Sequence, residues 1–456
     1  MTEALRQYVD LYRSHSDLID SHSAPALNAL REEACSTLES ANLPAHGTEN
    51  YEHTDLTALL SPDYGINLAR TPMDVNPAAS FRCDVPHLST SLFFLINDTF
   101  AASDRSYEGL PAGVTVMGLA RFAREYPEVA AAHYGRLADM KNPVVALNTM
   151  LCQDGVVIYV RKGVKVEKPL QLVNILHSGM PLMAVRRLLV IMEEDSEARL
   201  LVCDHTQVPD MKFLTLQTVE IYAGERSRFD LYDLEESTES TSRLSSLYLR
   251  QEGESSVMID GITLYNGTTR NEYHTLFAAP GSELKLYGMG IEDAERSLET
   301  YSRIAHEAGG CMTDELFKYV VDDRATGSFT GRIYVAEGAA KTEAYQANRN
   351  IVGSDEARMF AKPQLEIYND DVKCSHGTAI GRLDEMQLFY MRTRGLSEDE
   401  ARLLLKQAFM ADVIDGVRLE VLRERLRHLV ERRFAGEAAG CGSCSLHSHP
   451  GCAPQA

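Results

Sequence analysis

The spacing of hydrophobic positions changes character twice along the chain. From residue 2 to about 60, apolar side chains recur at helical spacing, with Leu5, Tyr8, Val9 and Tyr12 on one face and Ala26, Leu27, Leu30, Ala34 and Leu38 on another. This predicts a small helical region. Short apolar runs at 92–96 and 113–117 then read as strands, and 119–140 turns helical again. From Gly155 to about Leu383 helical periodicity is largely absent. Apolar or alternating runs at 156–160, 188–192, 200–203, 216–222, 257–259, 262–265 and 284–287 are separated by Gly, Asp, Glu and Ser. A sandwich, a barrel or a solenoid would fit such spacing, but so long a stretch of strands is too much for one sandwich and favours a solenoid. No strict sequence repeat accompanies it.

After Leu383 the helical period returns. Ser397 and Glu400 form a Ser-x-x-Glu capping box, in which each side chain satisfies an unpaired backbone donor of the first turn, so a helix is predicted to begin there. Leu404, Leu405, Ala408 and Phe409 are its expected apolar face. Val417, Val421, Leu422, Leu426, Leu429 and Val430 are that of the next helix. This second helix also carries Arg418, Arg423, Arg425, Arg427, Arg432 and Arg433, read either as a solvated face paired with Glu420, Glu424 and Glu431 or as a docking surface.

The most informative stretch is KPQLEIYNDDVKCSHGTAIGRLD at 362–384. Pro363 opens an extended run, Asn369-Asp370-Asp371 supplies turn chemistry, and Val372 begins a second run, a pattern that predicts a β-hairpin. Val372, Cys374 and His376 are spaced by two, which turns a thiol and an imidazole to one strand face. Thiolate sulfur and imidazole nitrogen are both ligands for iron, although a bare Cys-x-His pair is more often explained by packing.

The wording of this stretch, followed by LDEMQLFYMRTRGLSEDEAR, resembles the SufD family, the scaffold subunits of the SUF iron–sulfur cluster assembly system. The similarity extends through EAYQANRNIVGSDEAR at 343–358 and more weakly through ENYEHTDL at 49–56 and SPDYGINL at 61–68. Tyr51 stands where the family usually has Trp, and Thr378-Ala379 where it usually has Ala-Thr. The resemblance implies a mainly β fold, a right-handed parallel β-helix core flanked by N- and C-terminal helical regions. The expected divisions are 1–90 (helical), 91–383 (strand-rich, with the β-helix from about 155), 384–436 (helical) and 437–456 (a tail). It further implies a non-catalytic scaffold paired with SufB through the last strands of the β-helix and docking the ATPase SufC through its C-terminal helices. A transient iron–sulfur cluster, shared with the partner, would meet the chain at Cys374 and His376. His376 is the family's functional histidine and Cys374 its strand neighbour. A homodimer is left open, and so is reduced flavin, for which no motif speaks.

Composition narrows this further. Sixty-six acidic against forty-five basic side chains give a net charge of −21 over 456 residues, which opposes nucleic-acid or anionic-membrane binding and favours protein partners. No apolar run is long enough to span a bilayer and the first residues lack the pattern of a signal peptide, so a cytoplasmic location is expected. Nine cysteines, an odd and scattered set, do not make a disulfide framework. Cys35, Cys83, Cys152 and Cys203 read as core side chains, and Cys311, after Gly309-Gly310, as a partly exposed turn residue. The tail differs: Cys441, Cys444, His447, His449 and Cys452 are either a zinc or iron site or part of a flexible terminus.

No phosphate loop, dinucleotide fingerprint, nucleophile elbow or His-Glu-x-x-His motif occurs, so no directly bound nucleotide is expected. Two other readings remain: a SufB-type paralogue, or a β-helix carbohydrate enzyme using Asp322/Asp323 or Asp370/Asp371. Neighbouring strand aspartates point to opposite faces, which weakens the latter.

Overall fold

The computed structural model describes residues 1–71 and 89–437. Its core is a parallel β-solenoid of about 8 turns, with 41% of the chain in strands. From Leu170–Leu176 onward, consecutive strands alternate between two sheets, and each lies parallel to the strand two places away in sequence. Among the described residues one sheet has ten strands and the other nine. Only the first turn departs from this, with Ser91–Ile96 antiparallel to Thr99–Ala101 and Val114–Gly118 antiparallel to Val156–Val160.

The repeat hidden from the sequence is conformational. Gly163, Asp195, Arg226, Glu254, Gly281, Gly310 and Lys341 all adopt positive φ and recur about every 30 residues. Their amides form one ladder along a corner: Asp195 N–H donates to Glu225 O at 2.9 Å, Arg226 to Gly253 O at 2.8 Å, Glu254 to Pro280 O at 3.0 Å and Gly310 to Ala340 O at 2.8 Å. A left-handed residue costs about 1 kcal/mol or more when it carries a Cβ. The turn-to-turn hydrogen bond and the stacking of rungs hold each of these residues there, so the period is kept with Gly, Asp, Arg, Glu or Lys and leaves no fixed residue to recognise.

Side chains facing inward fill the space between the sheets. Val219, Ile221, Leu247 and Leu249 meet Leu231, Val257, Ile259, Leu284 and Leu286, and Phe317 and Phe329 continue this core towards the last turns. The outward faces are also covered. The N-terminal helices, including Glu3–Ser21, Arg31–Ser40 and Pro143–Leu151, pack on the nine-stranded sheet through Val157, Tyr159, Val185, Leu189 and Leu216. The helices Glu398–Gly416 and Glu420–Phe434 pack on the ten-stranded sheet through Tyr232, Met258, Ile262, Leu264 and Met289. Burial on both faces explains why Leu182–Met192 is apolar without alternation on either side of Arg186 and Arg187, which are themselves buried and pair with Asp204 and Glu220.

Several sequence expectations change here. The stretch at 362–384 is not a hairpin: Arg358–Ile367 pairs with Thr326–Val335 in one sheet, and Val372–Gly381 pairs with Thr342–Val352 in the other. The Asn-Asp-Asp turn is a corner between sheets. The capping box at Ser397 and Glu400 forms as expected, but the apolar face of that helix is rotated. Ala401, Met410, Val413 and Ile414 are buried, whereas Leu404 is 42% exposed. Part of the arginine stripe neither faces solvent nor awaits a partner. Arg433 is buried, donating to Leu264 O and Ile291 O and pairing with Asp293, and Arg418 reaches Asp230 at 2.7 Å. Those cations pin the helix to the solenoid.

Candidate functional site

The solenoid ends in an open turn. Arg358–Ile367 and Val372–Gly381 stand last in their sheets, each paired on one side only among the described residues. Pro363 lies within the former, consistent with the tolerance of proline on edge strands. Phe360, Ile367, Tyr368 and Ile380 are exposed there.

Val372, Cys374, His376 and Thr378 all point to the interior side of the last strand. Val372 and Cys374 pack on the inner core, and Thr378 Oγ1 lies 3.4 Å from the buried Asn348 Oδ1. Their register partners one turn below are Thr342, Ala344, Gln346 and Asn348. The alternation expected from sequence is therefore present, and it brings Cys374 and His376 to one face. Their exposures differ: Cys374 is half-buried, while His376 is exposed where the lumen opens. Burial pushes the Cys374 thiol above its ordinary pKa, only partly opposed by a backbone hydrogen bond at Ala344. In the chain alone Cys374 is thus a protonated thiol at neutral pH, and the imidazole is the more accessible of the two groups.

No group of three or more His, Cys, Asp or Glu side chains among the described residues is arranged to hold a metal ion. Cys374 and His376 are two such side chains on one strand face, two fewer than a four-coordinate site needs. Cys441, Cys444, His447, His449 and Cys452 lie outside the described residues, as does Cys83. Cys35, Cys152, Cys203 and Cys311 are all buried. For Cys311 this corrects the expected partial exposure, since neighbouring turns close over it and its Sγ faces Ala279 O at 3.5 Å. The aspartate pairs weighed for glycan chemistry sit at corners: Asp322 pairs with Lys406, and Asp323 accepts from the Ala294 amide at 2.9 Å.

Two features at this end were not assigned roles from sequence. The ENYEHTDL segment is a strap over the nine-stranded sheet. Tyr51 lies under the Arg270 guanidinium at 4.0 Å, His53 stacks on Phe360 at 3.9 Å, and Lys362 reaches Glu52 at 3.3 Å. It ties the N-terminal region to the strand facing the Cys374/His376 strand. The second feature is a polar column inside the lumen. Glu315, Gln346 and His376 are successive register partners, and Gln346 Nε2 donates to Glu315 Oε2 at 2.6 Å. Ser302 Oγ also donates to Glu315, whose carboxyl burial raises to about pKa 7 against the lowering effect of those two hydrogen bonds.

No helix among the described residues is long and apolar enough to cross a membrane.

Comparison with known proteins identifies the family. The family model described as "SUF system FeS cluster assembly, SufBD core domain" matches residues 175–409, and that for the "SufBD protein N-terminal region" matches residues 2–172. A SufBD family iron–sulfur cluster assembly protein of Synechocystis is 28% identical over 411 residues, covering 88% of this chain and 90% of its own length. SufD of Escherichia coli is 33% identical over 183 residues, 40% of this chain and 42% of its own, and SufD of Bacillus subtilis is 24% identical over 430 residues, 91% and 95% respectively. The core match covers more than half of the chain and the N-terminal match continues it towards the start, so the chain belongs to the SufBD family of the SUF iron–sulfur cluster assembly system.

Proposed function

We propose that this chain is a non-catalytic, cytoplasmic scaffold for iron–sulfur cluster assembly, contributing half of a cluster-building site to an interface with a SufB-type subunit. One observation carries the reading: His376 is exposed on the inner face of an open last turn, with Cys374 beside it and, among the described residues, no third ligand grouped with them. The nascent cluster is the cargo of such a site, and the partner supplies its remaining ligands. Cys374 becomes a ligand once iron or a partner cation lowers its thiol pKa.

The division of labour follows the elements. The strand-rich core presents the site, and the C-terminal helical region docks the ATPase SufC. Exposure of Met386, Phe389 and Tyr390 on Glu385–Thr393 supports that docking role, because apolar side chains 58–74% exposed on one short helix are costly unless covered. ATP hydrolysis belongs to the partner, and the Glu398–Gly416 and Glu420–Phe434 pair is the route by which its movement reaches the solenoid.

The test is His376→Ala in the complex reconstituted with its SufB and SufC counterparts. Cluster assembly should be abolished while circular dichroism and complex formation stay unchanged; assembly at the unaltered rate removes His376 from the site. The Cys/His-rich tail is proposed as a separate zinc or iron site. Chains with and without residues 437–456 should differ in bound metal per chain, and equal metal content would dispose of that site.

A further inference from the structure

His376 is exposed and carried on an edge strand, so something must orient its ring if it is to present one nitrogen to iron reproducibly. A metal-binding imidazole generally donates its other ring N–H to a fixed oxygen, which selects the tautomer. The residue directly beneath His376 is Gln346, its register partner one strand spacing away, about 4.8 Å. Gln346 is 3% exposed. Its Nε2 is committed to Glu315 at 2.6 Å, while its Oε1 is buried with no hydrogen-bond partner.

The two amide atoms diverge from Cδ, so with Nε2 held on Glu315, deeper in the lumen, Oε1 is left directed away from Glu315 and free to serve the last turn. Glu315 is itself fixed by the Ser302 hydroxyl. The opposite sheet makes room for this arrangement with Gly331: a Cβ there would lie 2.3 Å from Gln346 Nε2 and 2.9 Å from its Cδ. A buried, unpaired acceptor, a donor anchored behind it and a glycine that makes room for the anchored end of the amide are three separate observations at one place.

We propose that Gln346 is a positioning residue for His376, its Oε1 accepting the ring N–H of His376 and its amide orientation set by Glu315, so that the other imidazole nitrogen presents its lone pair outward. This rests on the reading of His376 as a cluster ligand, but it concerns the ring before any cluster is present. Gln346 touches no iron; it acts through the histidine.

The tautomer can be read directly. The full chain is labelled with ¹⁵N-histidine, His376 is assigned by its loss in His376→Asn, and the ratio of its two neutral tautomers is taken from the ring-nitrogen shifts. In the unaltered chain one tautomer should dominate by about fivefold or more, the bias set by one hydrogen bond of ordinary net strength. Gln346→Leu and the more flexible Gln346→Met should both return the ratio towards that of a free imidazole. The exchanged pair Glu315→Gln with Gln346→Glu keeps an anchored acceptor beneath His376 and should retain the bias, which a role in packing alone does not predict. An unchanged ratio in either folded single variant overturns the proposal. Because the measurement needs neither partner nor cluster, it can succeed even where His376→Ala leaves assembly intact, and the two failures remain distinguishable.

Discussion

Asp260 shows how far the interior tolerates an acid when burial is complete. It is fully buried beneath the C-terminal helices, both carboxylate oxygens lack a hydrogen-bond partner, and its register neighbours are Tyr232 and Tyr287. The Tyr232 hydroxyl is engaged with Asp230 and the Arg418 amide, and that of Tyr287 with Asp314, so neither can serve it. Desolvation raises its pKa from 3.8 to about 8. The native state therefore keeps a proton that the unfolded chain releases above pH 4. Its favourable contribution is full below that point and is lost as pH rises towards about 8, at roughly 1.4 kcal/mol per pH unit. Asp260→Asn should flatten the pH dependence of the denaturation midpoint between pH 5 and 8. Parallel profiles for the two proteins would show that the native carboxyl is ionised. Nothing in the sequence marked this residue, because an aspartate in a strand carries no local sign of what covers it. The pair at 374 and 376 was legible for the opposite reason: a spacing of two on a strand fixes a shared face whatever the neighbours. Gln346 lay inside a recognised motif, yet its relation to His376 is a matter of register between strands 30 positions apart, which only the stacked turns reveal.

At the scale of elements, local chemistry predicted existence better than partnership. The runs at 156–160 and 262–265 fall within observed strands, and the Ser397 cap begins its helix where the capping box required. The supposed hairpin failed because a short polar turn reverses the chain equally well within a sheet or across two, and the side-chain pattern is the same in both. The solenoid corner at Asn369–Asp371 is the second kind: Asn369 Nδ2 donates to Glu337 O at 2.5 Å, and the Lys341 amide donates to Asp371 O at 2.6 Å, binding it to the corner below. The rotated face of Glu398–Gly416 has a similar origin. Apolar spacing offered two overlapping stripes, and the sheet beneath chose the one holding Met410, Val413 and Ile414. Charge runs were equally ambiguous, since the Arg433 head group is buried against carbonyls that no helical pattern could foresee.

The whole molecule is a one-dimensional stack, and its stability should grade along the axis. Central strands have neighbours on both sides, inner core within and helices without, whereas most of Val372–Gly381 is exposed and the strand is paired on one side. Hydrogen exchange in the isolated chain should be slowest at strands such as Leu182–Met192 and fastest among the strands at Val372–Gly381. Binding of the SufB-type partner should then slow exchange in that last strand specifically. If its protection is the same with and without the partner, the interface lies elsewhere.

That uncovered rim also governs what happens when the chain is made in excess. An unpaired strand edge is a template for any other strand, and side-by-side addition without closure would grow into aggregates. Two copies that meet rim to rim across a two-fold axis bury each other's edge and leave none to extend. If the proposed SufB-type partner covers this rim, assembly becomes a matter of supply as much as affinity: with the partner scarce, the surplus chain should either close upon its own twin or be lost from solution.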